Sequence, residues 1–188
     1  MNKILDVGCG SSKIEGAIGM DHLDLPGVDI IHDLNHIPWP FESESVSKII
    51  FCHSISHLND ISAIMIECNR ILCAGGSLEI LAPHYSSDNF NTDPTHKMSI
   101  GYRSMNYFIK ESNFGYSYIP EEYLFRLVSV RLSYRECQTS WRTKLKFNFF
   151  RIIGLEKILN SFPRIYERFF CWIFPISEVY FVLKKSNK

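Results

Sequence analysis

Short apolar runs, each closed by glycine, proline or polar residues, punctuate the first half of the chain at Lys3–Val7, Ala17–Met20, Val28–Ile31, Val46–Phe51 and Leu78–Ala82. Runs of this length, apolar on both faces, read as strands of a buried parallel sheet. Between the fourth and fifth, Ile61, Ile64, Met65, Cys68, Ile71 and Leu72 recur at helical spacing, with Asp60 placed as N-cap and Gly75-Gly76 as the stop. Strand, helix, strand requires a right-handed crossover. Downstream, Ser104–Glu111 reads as a helix, Leu127–Tyr134 alternates like a strand, and Glu178–Lys184 reads as the last strand. The predicted fold is therefore α/β: a Rossmann-like three-layer sandwich whose seven-stranded, mostly parallel sheet ends in an antiparallel strand. Lys144–Pro175, helix-like, aromatic and basic, reads as a helical insertion before that strand. With no repeat and no low-complexity linker, residues 1–188 are expected to form one domain.

Composition adds a core and a charge asymmetry. The chain is 46% hydrophobic with 14% aromatics, enough to bury a sizeable interior. Its net charge is zero, yet residues 131–188 hold 12 Lys/Arg against 4 Asp/Glu, a local +8 balanced by −8 elsewhere. A basic tail packed on an acidic body or a partner-binding face would each account for this. The six cysteines show no paired spacing and sit mostly in apolar runs, which points to a reducing, cytoplasmic setting. The start lacks the succession of a signal peptide, and Phe169–Ile176 is too short to span a bilayer. A soluble or membrane-peripheral protein is expected.

The first chemistry appears at Leu5-Asp6-Val7-Gly8-Cys9-Gly10, where an apolar strand ends in two glycines that let a ligand approach the backbone. A dinucleotide site would want a third glycine at position 13 and an acid about 20 residues on. Lys13 stands at that position, and Asp21 follows Gly10 by only 11 residues. At the end of the second strand, Asp21 is placed to accept hydrogen bonds from two ribose hydroxyls.

In chain order these segments resemble the class I methyltransferase family, in the branch labelled methyltransferase type 11. Leu5–Gly10 is similar to its first motif, Gly19-Met20-Asp21 to its ribose-binding acid, and His32-Asp33-Leu34 with Ile37–Phe41 to its adenine-side loop. Phe51–Leu58 resembles the fourth-strand motif, and Glu67–Leu72 with Ala74-Gly75-Gly76 the helix before strand five. The resemblance implies S-adenosylmethionine as cofactor. It places Asp6, Gly8 and Gly10 at the methionine moiety, Asp21 at the ribose, Asp33 and Leu34 at the adenine, and His53 at the mouth. Residues 1–83 would form the cofactor-binding half and 84–126 the substrate-side loops. Two departures matter: only about six residues separate Gly10 from the second strand, so the family's helix there must shrink to a turn, and no helices precede the first strand. The substrate side is then open, or covered by the insertion or by a second copy in a homodimer.

An oxygen acceptor must lose a proton, and histidine is the usual base. Pro83-His84-Tyr85-Ser86-Ser87 and Asp93-Pro94-Thr95-His96-Lys97 form the richest polar cluster at the expected active end, making His84 and His96 the candidate catalytic residues. Tyr85, Asp93 and Tyr102 are the candidate substrate contacts. No metal site is expected, because no histidine pair has helical i, i+4 placement with a supporting carboxylate outside His53 and His57, which the cofactor loop explains better. No Asn/Asp-Pro-Pro-aromatic motif follows the fourth strand, so DNA bases are disfavoured as acceptors. The reading is a methyltransferase acting on a small-molecule or lipid-linked acceptor, such as a sugar hydroxyl. Its rivals are a non-catalytic subunit that needs a partner and an enzyme using the same cofactor without methyl transfer. In 144–175 the basic residues are interleaved with more apolar residues than one buried face needs, which suits a membrane interface.

Overall fold

The structure is a computed structural model that describes residues 3–112, 114, 116–134 and 154–186. Its strands are β1 (Ile4–Val7), β2 (Ile18–Asp21), β3 (Ile30–Ile31), β4 (Val46–Cys52), β5 (Leu72–Pro83), β6 (Phe125–Ser133) and β7 (Glu178–Lys185). They form one sheet in the order β3-β2-β1-β4-β5-β7-β6. The first five are mutually parallel, and β7 runs antiparallel between β5 and β6. Chain order reverses between β1 and β4, which opens a crevice at their carboxyl ends.

The core lies where the apolar runs predict it. Leu5 and Val7 of β1, Ile49 and Phe51 of β4, and Leu78 and Ile80 of β5 are fully buried. Helix α1 (Ile61–Ile71) covers one face with Ile64, Met65, Cys68 and Ile71, and its Asp60 N-cap accepts from Ala63 N at 3.0 Å. The helix stops before the expected glycines. Leu72 already pairs with Val46 on the sheet, residues 73–76 bulge outward with Gly75 at φ 71°, and pairing resumes at Ser77. Likewise Ser104–Glu111 yields only the short 3-10 turn Ser104–Phe108, because Ile109 is drawn into a bridge with Phe125. Sheet pairing outcompetes local helix propensity at both places.

A short helix, α2 (Asp88–Thr92), follows β5. In the insertion, α3 (Leu155–Ser161) breaks at Phe162, and Pro163 starts α4 (Pro163–Ile165), which continues through a π turn, Tyr166–Phe170. Proline suits a first helical position because it has no N–H to satisfy there. The segment is fastened by polar contacts. Asn160 bridges both the N–H and the carbonyl of Leu132 at 2.8 Å, and Arg131 donates to the buried Glu156 carboxylate. Residues 144–153 of the expected insertion lie outside the described residues, and with them Phe147 and Phe150 of an apolar stripe that recurs at helical spacing and continues through Ile158, Phe162, Ile165, Phe169, Trp172 and Ile173. The remainder of that stripe faces outward: Phe162 is 61% exposed, Phe169 62%, Trp172 70% and Ile173 66%. No helix among the described residues is long and apolar enough to cross a membrane.

Candidate active site

The turn after β1 is built by two glycines with different tasks. Gly8 (φ 70°) is a packing glycine, since a Cβ there would lie 2.3 Å from Ser54 Cβ. Gly10 (φ 52°) faces open space, since none of the described residues comes within 4 Å of where a Cβ would stand. Asp21, at the end of β2, fixes this turn by accepting from Gly10 N at 2.9 Å and from Leu23 N at 3.1 Å. The seven residues between Gly10 and β2 form turns, as the short spacing predicts. Asp6 is buried, and its Oδ2 accepts from Ile14 N at 2.9 Å while its Oδ1 has no hydrogen-bond partner among the described residues. Burial pushes its carboxyl above the ordinary range against the pull of the Ile14 N–H, and the nearby Asp21 carboxylate pushes it the same way.

A cleft of about 650 Å³ opens beside this turn, with Gly8, Asp21, Asp33, Leu34, His53 and His57 among its lining. Asp33 Oδ1 accepts from the backbone and side-chain amides of Asn35, which hold the carboxyl below its ordinary range. The Leu34 carbonyl accepts from Trp39 Nε1 at 3.1 Å. Trp39 is buried, and its backbone N–H donates to Glu67 Oε1 of α1 at 2.7 Å, so the helix positions this wall. Across the cleft, His53 has a left-handed backbone (φ 59°), and its Nε2 lies 2.9 Å from Glu178 Oε1 at the start of β7. Ser54 donates to the Val7 carbonyl, tying the ends of β4 and β1 together.

The predicted cofactor residues Asp6, Gly8, Gly10, Asp21, Asp33, Leu34 and His53 thus gather at one end of the sheet. The predicted catalytic and substrate residues divide into two groups. His84 is fully buried, with Nδ1 2.8 Å from Ser86 Oγ and Nε2 3.2 Å from Glu167 Oε1. Glu167 Oε1 also accepts from Tyr102 N at 2.6 Å, and the Tyr85 hydroxyl donates to the Glu167 carbonyl at 3.3 Å. His84, Tyr85 and Tyr102 therefore fasten the insertion to the sheet. His84, enclosed and engaged at both nitrogens, has no ring nitrogen free for an acceptor.

Asp93 and His96 belong to the second group, a loop laid over the 3-10 turn Ile55–His57 by the bond from Lys97 N to Ser56 O at 2.8 Å. That loop brings His57, Asp93 and His96 together, with one ligand-type atom from each within 4.8 Å of the others. The expectation that these histidines form no ligand set rested on helical spacing within one segment. The cluster lies between two segments, and His53 Nε2 is engaged by Glu178. Glu178, Ser54, His57, Thr95 and Lys97 carried no chemical role in the sequence reading. Glu178 is brought to the site by folding alone, whereas Ser54 and His57 lie in the Phe51–Leu58 motif and Thr95 and Lys97 in the polar segment Asp93–Lys97.

Residues 21–80 match the family model described as "Methyltransferase domain". The chain carries the class I methyltransferase fold. It resembles a SAM dependent methyltransferase from Archaeoglobus fulgidus at 17% identity and a TM-score of 0.62, covering 98% of this chain and 86% of that one. It also resembles a complex of the Haloferax volcanii Trm112 methyltransferase activator with a methyltransferase, at 13% identity, TM-score 0.56, and 99% and 83% coverage. The [4+2]-cyclase SpnF superposes at 13% identity and TM-score 0.56 over 100% of this chain and 76% of that one. No curated protein sequence matches. The type 11 resemblance holds over the matched segment. The methyltransferase fold by itself does not name the reaction, since one superposing structure is a cyclase.

Proposed function

We propose that the chain is an S-adenosylmethionine-dependent methyltransferase that acts on a hydroxyl of a small or lipid-linked acceptor. The observation that carries this reading is the cradle of Asp6, Gly10 and Asp21. Asp6 offers a buried carboxylate oxygen with no partner among the described residues, Gly10 leaves backbone open to a ligand, and Asp21 retains lone pairs beyond those given to Gly10 and Leu23. A cationic methionine group suits Asp6, whose charge burial disfavours until a positive partner arrives. Asp21 suits ribose hydroxyls, and Leu34 and Asp33 suit the apolar face and polar edge of adenine.

The cofactor supplies a methyl group on a positively charged sulfur. The chain's part is to hold the acceptor in line, exclude water and remove a proton. His53 is the base this geometry favours. Its Nε2–H donates to the buried Glu178 carboxylate, which leaves Nδ1 as the basic nitrogen on a ring that lines the cleft. Glu178 orients the ring. A lipid-linked, anionic acceptor is favoured by a second hollow of about 1370 Å³ whose lining includes Arg103, Arg126, Arg164 and Arg168 beside Phe162 and Phe169, with Glu111 and Glu167 at its wall.

Calorimetric titration with S-adenosylhomocysteine tests the reading. The parent chain is expected to bind, and Asp21→Ala to lose about 1.5–3 kcal/mol through its charge-assisted hydrogen bonds. No binding by the folded parent sinks the proposal. Binding without methyl transfer to any acceptor in a panel of glycans and lipid-linked sugars would favour a partner-dependent subunit.

A further inference from the structure

Hydrogen bonds decide which atom is free on each member of the His57, Asp93 and His96 cluster. His96 Nδ1 lies 3.0 Å from the Phe90 carbonyl, which can only accept, so Nδ1 carries the proton and Nε2 is a lone pair. Thr95 Oγ1 lies 2.6 Å from Asp93 Oδ1 and 2.9 Å from His57 Nδ1. Its single proton goes to the carboxylate, so it accepts from His57 Nδ1–H, and His57 Nε2 is the second lone pair. Thr95 N also donates to Asp93 Oδ1 at 2.8 Å. These bonds hold the Asp93 carboxyl below its ordinary range. Outer hydrogen bonds of this kind fix the tautomer and direction of metal-binding histidines.

The rings are also held in place. Their centroids are 4.6 Å apart, and Phe90 stacks against His96 at 5.3 Å with an interplanar angle of 4°. All three candidate ligands are partly exposed and so reachable from solvent. The nearby cation, Lys97, is held by Asn59 Oδ1 at 2.6 Å. One ligand-type atom from each residue lies within 4.8 Å of the others, and ligand atoms about 2.1 Å from a tetrahedral ion are about 3.4 Å apart.

We propose that His57, Asp93 and His96 form a three-ligand site for a divalent ion of the zinc type, with its fourth position open. Two imidazoles and one carboxylate favour such an ion over magnesium or calcium, which prefer all-oxygen sets. His57 and Thr95 also line the cleft. The site therefore adjoins the cleft, where an open position would be available to a water or an acceptor oxygen.

Untagged protein stripped with chelator, then titrated with Zn²⁺ by calorimetry and Co²⁺ by visible absorption, tests the site. One equivalent per chain is expected, with the intense visible bands of low-coordinate cobalt. Thr95→Val keeps all three ligands and removes only the hydroxyl that orients two of them, so affinity should fall about 10–100-fold. His96→Ala and Asp93→Asn should fall at least as far, with circular dichroism unchanged. His32 and His36, with rings 6.4 Å apart, are the competing pair, so His32→Ala should leave uptake intact. No uptake, uptake that survives His96→Ala, or uptake abolished by His32→Ala overturns the site. If His96→Ala fails to fold, Thr95→Val decides. Metal uptake without S-adenosylhomocysteine binding would leave the site standing and remove the cofactor reading.

Discussion

His53 Nε2 lies 2.9 Å from Glu178 Oε1, a contact between residues 125 positions apart that joins the fourth strand of the sheet to the antiparallel seventh. The Glu178 side chain is 5% exposed and that of His53 27%, so a buried carboxylate supports a ring that still reaches the cleft. With an acceptor in hand, His53→Ala is expected to cut the turnover rate by about 10²–10⁴, the usual range for losing a general base. Glu178→Gln should reduce it less, because the ring remains and only its orientation is weakened. S-adenosylhomocysteine affinity should hold in both. A parallel loss of affinity and rate would make His53 a cofactor contact only.

That pair marks the boundary of what the sequence discloses. Strands β1, β2, β4 and β5 and helix α1 are legible because each buries its own periodic apolar residues. Asp6, Gly8, Gly10 and Asp21 are legible because they sit at strand ends, where topology alone brings them together. Glu178 carries no such mark, since it meets His53 only after β7 inserts between β5 and β6. His84 misleads for the same reason. Its polar surroundings in sequence suggest a site, yet Glu167, 83 positions later, closes over it. The stop of α1 and the shortened Ser104–Phe108 turn reflect strand pairing, which local propensity does not contain.

Asp6 supplies a pH-dependent test. Its folded carboxyl titrates above the ordinary carboxylate value, chiefly through burial. The folded state therefore holds its proton more tightly than the unfolded chain. The burial penalty is present in full above the folded value and is relieved as pH falls through it. Asp6→Asn, which keeps an oxygen for Ile14 N, should raise the melting temperature of the ligand-free protein by a few degrees at pH 7. The gain should shrink toward pH 4, and S-adenosylhomocysteine affinity should drop. Thermal melts across that range decide it, and destabilisation at pH 7 would show that the Asp6 charge is already compensated.

His84 should behave as a structural residue. His84→Ala would remove the hydrogen bonds that the buried ring makes to Ser86 and Glu167, each worth about 1–3 kcal/mol. Urea denaturation should show that loss, while the folded fraction retains its cofactor affinity. A variant as stable as the parent but without turnover would restore His84 to the catalytic list.

The outward-facing stripe on the insertion yields the last expectation. Phe162, Ile165, Phe169, Trp172 and Ile173 are each more than half exposed, and Arg164 and Arg168 lie among them. Aromatic residues beside arginines suit the headgroup region of an anionic bilayer, where rings enter the acyl boundary and guanidiniums meet phosphate. The acidic remainder of the chain would face away from that surface. Because these side chains are more than half exposed, the double change Phe169→Ser and Trp172→Ser should leave the melting temperature nearly unaltered. Sedimentation with anionic vesicles should capture the parent at low salt, weaken as salt screens the arginines, and fail for the double variant. Neutral vesicles should capture less. If the parent ignores every vesicle, or the double variant unfolds, the stripe serves protein packing and the acceptor need not be lipid-linked.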